Sequence, residues 1–258
     1  MEPINLERLN SATKYPSILT YHKLDPSNGR LSGETNTWFV AEDCYVTEKI
    51  DGTNVRIIVM PDGDYFIGSR ENLLYAKGDR IGDPAQTIVA NTRDLADRLA
   101  SETSIRYGIG VVLFGELFGG KVGAAAKQYK PNGSTGFRLF DVMALPRQQI
   151  ASMESRDLAA WRDAGGQGNL FSSVTAITAL ANSLGLDVVP DLNTSPPPIE
   201  LEETMAWLQQ AIKRSHVADA DAYGNPEGVV VRTNDRKSIA KIRFEDYRRT
   251  LKAIAKAK

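Results

Sequence analysis

Apolar and β-branched residues are concentrated in short runs bounded by turn residues, a pattern typical of β-strands. Two of these runs, 55–60 and 65–68, flank the sequence Pro-Asp-Gly-Asp. Turn residues of this kind between two strand-like runs predict a β-hairpin. Further strands are predicted at 106–114, 137–143, 228–232 and 238–244.

Longer segments repeat their apolar residues every three or four positions, which predicts helices with one buried face. One helix follows Asp83 and its neighbouring proline, a second begins after Ser172 or Ser173 and ends at Gly185, and a third follows Ser195. The strands are joined mostly by hairpins, and the helices are grouped in blocks. This order predicts an α+β fold of antiparallel β-sheets flanked by helices.

The composition is that of an ordinary globular protein. Of 258 residues, 42% are hydrophobic and 24% are charged, and the net charge is −1. The single cysteine, Cys44, cannot form an internal disulfide, and two histidines are too few for the usual zinc sites. No apolar run approaches the roughly 20 residues of a membrane span, so we expect a cytoplasmic protein with no membrane attachment.

The carboxyl-terminal segment differs from the chain as a whole in its charge. Residues 236–258 contain nine basic and two acidic residues, for a net charge of +7. The apolar residues of the last part fall at helical spacing, which predicts a docked helix with an exposed basic row. Such a row is suited to nucleic-acid phosphates. The candidate phosphate-binding residues are Lys237, Arg248, Lys252 and Lys256.

Two motifs are candidates for phosphate chemistry, and the first resembles a P-loop. Residues 115–121 read Gly-Glu-Leu-Phe-Gly-Gly-Lys and follow a predicted strand. The next residue is Val122, where a P-loop needs a hydroxyl for Mg²⁺, and Glu116 and Phe118 place an acid and a ring within the loop. A P-loop NTPase or kinase that uses Lys121 is therefore an alternative with an incomplete motif.

The second motif, residues 48–54, reads Glu-Lys-Ile-Asp-Gly-Thr-Asn and precedes the predicted hairpin. A lysine beside a glycine turn is common by itself, but this motif is followed by an ordered set of others. These are Ser69-Arg70, Phe114-Gly115-Glu116, Phe140-Asp141, Glu227-Gly228-Val229 and Lys241-Ile242-Arg243.

This ordered set resembles the covalent nucleotidyltransferases, the superfamily of polynucleotide ligases and mRNA capping enzymes, and within it the RNA ligase 2-like family. The resemblance extends over residues 49–243. It implies an ATP-grasp-like adenylation domain and an ATP-dependent RNA ligase that joins 3′-hydroxyl and 5′-phosphate RNA ends through a lysyl-AMP intermediate. A DNA ligase, a GTP-dependent capping-type enzyme and a non-catalytic nucleic-acid-binding relative are the alternatives.

The resemblance implies that Lys49 attacks the α-phosphate of ATP and that Lys241 and Arg243 assist it. A free lysine is almost wholly protonated at neutral pH, so a nucleophilic lysine needs neighbouring cations. Lys241 and Arg243 are two positions apart on a predicted strand, so both side chains should lie on one face. Arg243 stands where the family has a second lysine, and an arginine cannot act as an acid.

The resemblance also implies a nucleotide site and a metal ion. Mg²⁺ or Mn²⁺ is expected on oxygen ligands, including the carboxylate of Glu227. Phe140 would stack on adenine, Glu116 would contact the ribose, and Asn54 and Arg70 would lie near phosphates. The complete set of expected nucleotide-binding residues is Glu48, Ile50, Asn54, Arg70, Glu116, Phe140, Glu227, Lys241 and Arg243.

We expect residues 1–244 to form the nucleotidyltransferase domain, with a helical insert at about 145–215, and residues 245–258 to form the basic helix. No separate carboxyl-terminal domain is expected, and a partner protein or an oligomer would replace it. The segment 119–136 is polar and rich in glycine. We therefore expect a mobile loop near the substrate, outside the core.

Overall fold

The computed structural model describes residues 4–82, 86–102, 105 and 110–257. Within these residues the chain has the predicted α+β architecture, with antiparallel sheets and helices packed against them. The strands are β1 (His22–Leu24), β2 (Leu31–Thr35), β3 (Tyr45–Lys49), β4 (Thr53–Val59), β5 (Tyr65–Ser69), β6 (Leu73–Ala76), β7 (Asp79–Arg80), β8 (Val111–Gly119), β9 (Thr135–Ala144), β10 (Gly228–Arg232) and β11 (Ile239–Arg243). The helices are α1 (Leu6–Thr13), α2 (Gln86–Ser101), α3 (Ala126–Tyr129), α4 (Arg147–Ser152), α5 (Ser155–Asp163), α6 (Val174–Ser183), α7 (Leu201–Ala211) and α8 (Phe244–Ala257).

The largest sheet has six strands in the order β7-β6-β5-β4-β8-β9, and the predicted hairpin is its β4–β5 pair. Because alternate residues of a strand point to opposite faces, the sheet packs on both sides. On one face of the sheet, Ile57 is clustered with residues of α2 and α6. On the other face, Ile58 is clustered with Leu9 of α1 and with Phe171. The predicted start of α2 at Asp83 and the predicted strand residues 106–109 lie outside the described residues.

Strand β8 includes the first five residues of the glycine-lysine motif, 115–119. Gly115 pairs with Leu139 and Gly119 pairs with Thr135 across the β8–β9 ladder. Since backbone N–H groups in a ladder are already used by the sheet, this segment cannot wrap a phosphate as a P-loop does. The interpretation of Lys121 as a P-loop lysine is therefore wrong.

A second sheet has three strands in the order β11-β10-β3. One face of this sheet carries Val46, Val231 and Ile242, which are buried against α7 and α8. The opposite face carries the alternate residues, including Lys49 and Lys241. The alternation predicted for the last strand, with Ile242 in the core, is therefore present.

The segment between β8 and β9 contributes to the core, so the prediction that it lies outside the core is wrong. Val122 and Ala126 are buried, and Tyr129 on the short helix α3 is fully buried against Phe118. Lys130 forms an ion pair with Asp219 at 2.7 Å. The mobility that was expected for this segment stays a prediction.

Helices α4 to α7 fall within the predicted insert, but the insert also contains extended chain that rejoins both sheets. Val188 bridges to Leu139 of β9, and Asp191 bridges to Thr47 of β3. The division into domains stays a prediction. In the described part of the chain, no helix is long and apolar enough to cross a membrane.

The carboxyl-terminal helix α8 docks through its apolar side. Tyr247 is buried, and its hydroxyl is 2.7 Å from Nδ1 of His22. Phe244 at the start of the helix is buried in the same cluster. The exposed basic side chains of this helix include Arg248, Lys252 and Lys256.

Candidate active site

A cavity of about 530 Å³ lies between the two sheets. Residues of β3, β10 and β11 line one wall, residues of β4, β8 and β9 line the other, and α6 contributes to its apolar side. This volume is typical of sites for small molecules. The sequence-predicted residues that line the cavity are Glu48, Lys49, Ile50, Asn54, Arg70, Glu116, Phe140, Glu227 and Lys241.

Lys49 is the last residue of β3, where the chain leaves the small sheet and crosses to the large one. Its Nζ lies 2.5 Å from Oε2 of Glu227, the residue before β10. Gly228 pairs with Lys49 on one side and with Arg243 on the other. A Cβ atom at Gly228 would lie 2.0 Å from the carbonyl oxygen of Ile242, so only glycine permits this close approach.

Lys241 faces the cavity as predicted, but Arg243 does not line it. Burial lowers the pKa of Lys241, and the neighbouring charges of Arg243 and Lys49 lower it further. The guanidinium of Arg243 instead donates two hydrogen bonds to Asp246 of α8, at 2.8 and 2.9 Å. Lys241 and Arg243 therefore lie on one face of β11, as predicted, but of these two residues only Lys241 lines the cavity.

Glu116 and Asn54 face each other across the β4–β8 ladder. The pKa of Glu116 is raised to about 8, mainly by burial and in part by the charges of Glu227 and Asp51, against the lowering effects of Lys49 and of the Gly52 N–H. The Gly52 N–H donates to the Glu116 carboxyl at 3.2 Å. The buried Oδ1 atom of Asn54 has no hydrogen-bond partner in the described chain, so it is available to a donor group of a ligand.

The raised pKa of Glu116 predicts a specific pH dependence of stability. The folded protein keeps a proton on this carboxyl up to about pH 8, whereas the unfolded chain releases it near the ordinary pKa of glutamate. The free energy of unfolding should therefore fall as the pH rises through this window, and Glu116→Gln should remove that contribution.

Urea denaturation of the parent and of Glu116→Gln from about pH 5 to about pH 8 measures this effect. We expect the parent to lose stability relative to the variant with increasing pH. The exposed Glu202 serves as a control, since Glu202→Gln should leave a constant difference. If the free energies of unfolding of the parent and of Glu116→Gln change with pH in parallel, the raised pKa of Glu116 is contradicted.

The backbone that follows the lysine is held from several sides. The Tyr129 hydroxyl accepts a hydrogen bond from the Asp51 N–H at 2.8 Å. Ile50 is buried in one cluster with Tyr129, so its side chain packs inside the protein although the residue borders the cavity. A Cβ atom at Gly52 would lie 2.4 Å from the carbonyl oxygen of Leu117, so only glycine allows the motif to rest against β8.

Glu48 points to the opposite side of β3 from Lys49. Its buried carboxylate accepts hydrogen bonds from the Ser215 hydroxyl and, at 2.8 Å, from the His216 N–H. Burial raises the pKa of Glu48, while these two hydrogen bonds lower it. The Glu48 side chain therefore ties the lysine motif to the segment before β10.

Part of the cavity lining is apolar and aromatic. Phe140 projects into it from β9 and contacts the ring of Tyr15 edge to face, with centroids 5.1 Å apart. The apolar lining was not predicted as part of the site, because Val174 and Ile177 have the spacing of ordinary helix-core residues. The aliphatic residues at this wall are Leu139, Val174, Ile177, Val188, Val189, Val230 and Ile239.

A buried polar network supports the strand that carries Phe140. The carboxylate of Asp141 accepts hydrogen bonds from Arg232 at 3.1 Å, from Arg236 at 2.7 Å and from the Tyr15 hydroxyl at 2.9 Å. The Arg236 guanidinium also lies 3.7 Å from the centroid of the Phe171 ring. Because burial raises the pKa of Tyr15, its hydroxyl stays a hydrogen-bond donor at neutral pH.

The remaining predicted residues lie at the rim of the cavity or outside it. Arg70 is at the rim, where its guanidinium donates to Ser17 at 3.1 Å. Lys237 is exposed and forms an ion pair with Asp235 at 2.7 Å. Neither Lys252 nor Lys256 borders the cavity.

The acidic groups suit a metal ion that arrives with a nucleotide. No cluster of three or more potential metal ligands occurs among the His, Cys, Asp and Glu residues that the structure describes. Magnesium in nucleotide sites is usually bound by one or two carboxylates together with phosphate oxygens. A single carboxylate at the cavity, such as Glu227, fits that kind of binding.

Comparison with known families identifies the chain. The family model described as RNA ligase matches residues 42–254, a range that contains the lysine motif and most of both sheets. The chain therefore belongs to the RNA ligase family. A search of curated proteins gave no match.

Solved RNA ligases share the fold. Naegleria gruberi RNA ligase with PPi aligns with a TM-score of 0.52 at 13% identity, over 98% of this chain and 64% of that one. An archaeal ATP-dependent RNA ligase aligns with a TM-score of 0.54 at 20% identity, over 91% of this chain and 49% of that one. A mutant of the Naegleria gruberi RNA ligase with ATP and Mn gives 0.51 at 14% identity, over 92% and 62%.

The chain thus spans from about half to just under two thirds of the length of these RNA ligases. The similarity extends across almost all of the present chain. The predicted fold class, an α+β fold of antiparallel sheets flanked by helices, is confirmed.

Proposed function

We propose that the chain is an ATP-dependent RNA ligase that works through a lysyl-AMP intermediate. The observation that carries this proposal is the position of Lys49, which lies in a cavity of nucleotide size together with Glu227, Glu116 and Lys241. The neighbouring RNA ligase structures include one with PPi and one with ATP and Mn, which supports a nucleotide in the equivalent place.

The cavity lining includes both apolar and charged residues, and ATP has both an apolar base and charged phosphates. The aliphatic wall and Phe140 form an apolar slot in which adenine stacks. Glu116 lines the same cavity, where its carboxyl contacts the ribose. Lys49 and Lys241 are the cationic lysines of the lining, and they face the phosphates.

In the first reaction step the amine of Lys49 attacks the α-phosphorus. A nitrogen–phosphorus bond forms, the bond to the bridging oxygen breaks, and pyrophosphate leaves. The amine must lose a proton before it attacks, and the Glu227 carboxylate, at 2.5 Å from Nζ, is in place to accept it. The positive charge of Lys241 stabilises the negative charge that develops on the phosphate.

A divalent cation would complete the charge balance. Glu227 and the triphosphate would hold Mg²⁺ or Mn²⁺. When bound, the cation would neutralise the charge that develops on the leaving pyrophosphate. The buried Oδ1 of Asn54 would accept a hydrogen bond from the bound nucleotide or its water shell.

The later steps act on RNA. AMP passes from Lys49 to a 5′-phosphate end, and a 3′-hydroxyl end then attacks that phosphate and releases AMP. This sequence joins two RNA ends, which suits a role in RNA repair.

Incubation of the protein with α-labelled ATP and a divalent cation, followed by denaturing electrophoresis, tests the proposal. We expect a label that survives denaturation and is lost in acid, as a phosphoramidate is. Labelled GTP and a nicked DNA substrate separate an RNA ligase from a capping-type enzyme and from a DNA ligase. Labelling by GTP alone, or no covalent label with any nucleotide, would contradict the proposal.

A further inference from the structure

A second cavity, of about 440 Å³, lies beside the three-stranded sheet. It is formed between the end of α7, the start of α8 and the chain just before Glu227. Of the site residues predicted from the sequence, Arg248 alone is among its lining residues in the described part of the chain. The lining residues are Gln209, Ile212, Lys213, Asn225, Pro226, Phe244 and Arg248.

The charges at this second cavity favour an anion. Lys213 and Arg248 supply two cations, and no acidic side chain is among the lining residues that the structure describes. Gln209 and Asn225 add amide donors. Two cations with amide donors and no competing carboxylate form a good site for a phosphate group.

The loop that bounds the cavity has a defined conformation. The guanidinium of Arg214 donates to the carbonyl oxygens of Ala218 and Ala222, at 3.4 and 3.0 Å, and to that of Asp219. The Gly224 N–H donates to the carbonyl oxygen of Gln128 at 2.8 Å. The rim residue Asn225, which follows, is therefore placed by hydrogen bonds within the loop and to α3.

The same loop connects the second cavity to the active site. Its residues Ser215 and His216 hold the Glu48 carboxylate, next to the nucleophile. Pro226 of the rim directly precedes Glu227, whose carboxylate is 2.5 Å from Lys49. Since one residue of extended chain spans about 3.5 Å, the two cavities are separated by little more than the chain around Glu227.

An exposed aromatic ring on this loop favours nucleic acid over a free anion. Tyr223 lies two residues before Asn225, and 85% of its surface is exposed. Nucleic-acid-binding surfaces combine cations for the backbone with aromatic rings on which bases stack. The loop and α8 together provide both features.

On the basis of the proposed ligase function, we propose that the second cavity binds a phosphate group of the RNA substrate close to the ends that are joined. Lys213 and Arg248 contact the phosphate oxygens, and Gln209 and Asn225 donate further hydrogen bonds. The phosphate belongs either to the RNA backbone or to the 5′ end, and the chemistry of the site is the same for both.

Two double variants with the same loss of charge test this assignment. Lys213→Ala with Arg248→Ala removes the cations of the cavity, whereas Lys252→Ala with Lys256→Ala removes two cations of α8 that do not line it. RNA binding is measured by fluorescence anisotropy at several salt concentrations, with 5′-phosphate and 5′-hydroxyl strands. Self-adenylylation of each variant, which does not involve RNA, shows whether its nucleotide site is intact.

We expect the cavity variant to bind RNA at least about tenfold more weakly than the parent, with its salt slope reduced by about one. The tail variant should lose about twofold. An equal loss for both strands assigns the site to the RNA backbone, and a loss confined to the 5′-phosphate strand assigns it to the terminal phosphate.

Equal RNA binding by the two double variants, with both still self-adenylylating, would overturn the inference and leave the proposed function intact. Failure of the parent protein itself to self-adenylylate would instead contradict the proposed function. The two failures are therefore distinguishable in one set of measurements.

Discussion

The Lys49→Ala variant is expected to form no covalent adduct with AMP, a loss of at least about a thousandfold in labelling. Lys49 is the cavity lysine at the junction of the two sheets, and its Nζ is held by Glu227 at 2.5 Å. Lys241, the other cavity lysine, lies on the far strand of the three-stranded sheet, with β10 between. It therefore cannot replace Lys49 as the nucleophile. The measurement is the α-labelled ATP assay, quantified after denaturing electrophoresis.

Two further variants make this prediction specific. Lys49→Arg keeps the positive charge but removes the amine, so it should also give no adduct. Lys121→Ala removes the exposed lysine of the glycine-lysine motif and should be labelled like the parent. A label that persists in Lys49→Ala and disappears in Lys121→Ala would contradict the assignment of the nucleophile.

The parts of the site that the sequence predicts are those coded locally. The hairpin after the lysine motif and the alternation around Ile242 depend on residues a few positions apart, and the structure has both of them. The order of the motifs along the chain also predicts that distant residues, such as Lys49 and Glu227, meet in one site. Their roles in catalysis stay predictions.

Other features depend on contacts between residues far apart in the sequence. Tyr129 lies in a segment rich in glycine and polar residues, and only the folded chain shows that its ring is buried and that its hydroxyl accepts a hydrogen bond from the Asp51 N–H.

The pairing of Arg243 with Asp246 is local, three positions apart on the chain. It was not predicted, because the spacing alone does not show whether the guanidinium turns to the helix or to the cavity.

The network around Asp141 is the clearest example of this limit. Its members come from the amino-terminal segment, β9, β10 and the turn after β10, and no sequence pattern links Tyr15 to Arg236. Arg236 adopts a positive φ of 63°, which is uncommon for a residue other than glycine. This conformation is retained where the guanidinium contacts Asp141 and Phe171.

The structure predicts that Asp141→Asn lowers the free energy of unfolding by about 3–5 kcal/mol, since removing one charge of a buried ion pair leaves its partners uncompensated. The Asp141 side chain is fully buried, and the two arginines that contact it are 5% and 7% exposed. Asparagine has nearly the same shape, so the loss reports the charge rather than a new cavity. Urea denaturation at neutral pH measures it.

Asp187→Asn is the matched control for the Asp141 prediction, because Asp187 also pairs with an arginine, Arg138, but is 75% exposed. An exposed ion pair contributes about 1 kcal/mol or less, so this variant should be close to the parent in stability.

The Asp141→Asn variant should also need more ATP for half-maximal self-adenylylation, because Phe140 is the preceding residue on β9 and moves with Asp141. If both variants lose the same small amount of stability, the Asp141 ion pairs do not stabilise the fold as buried pairs do.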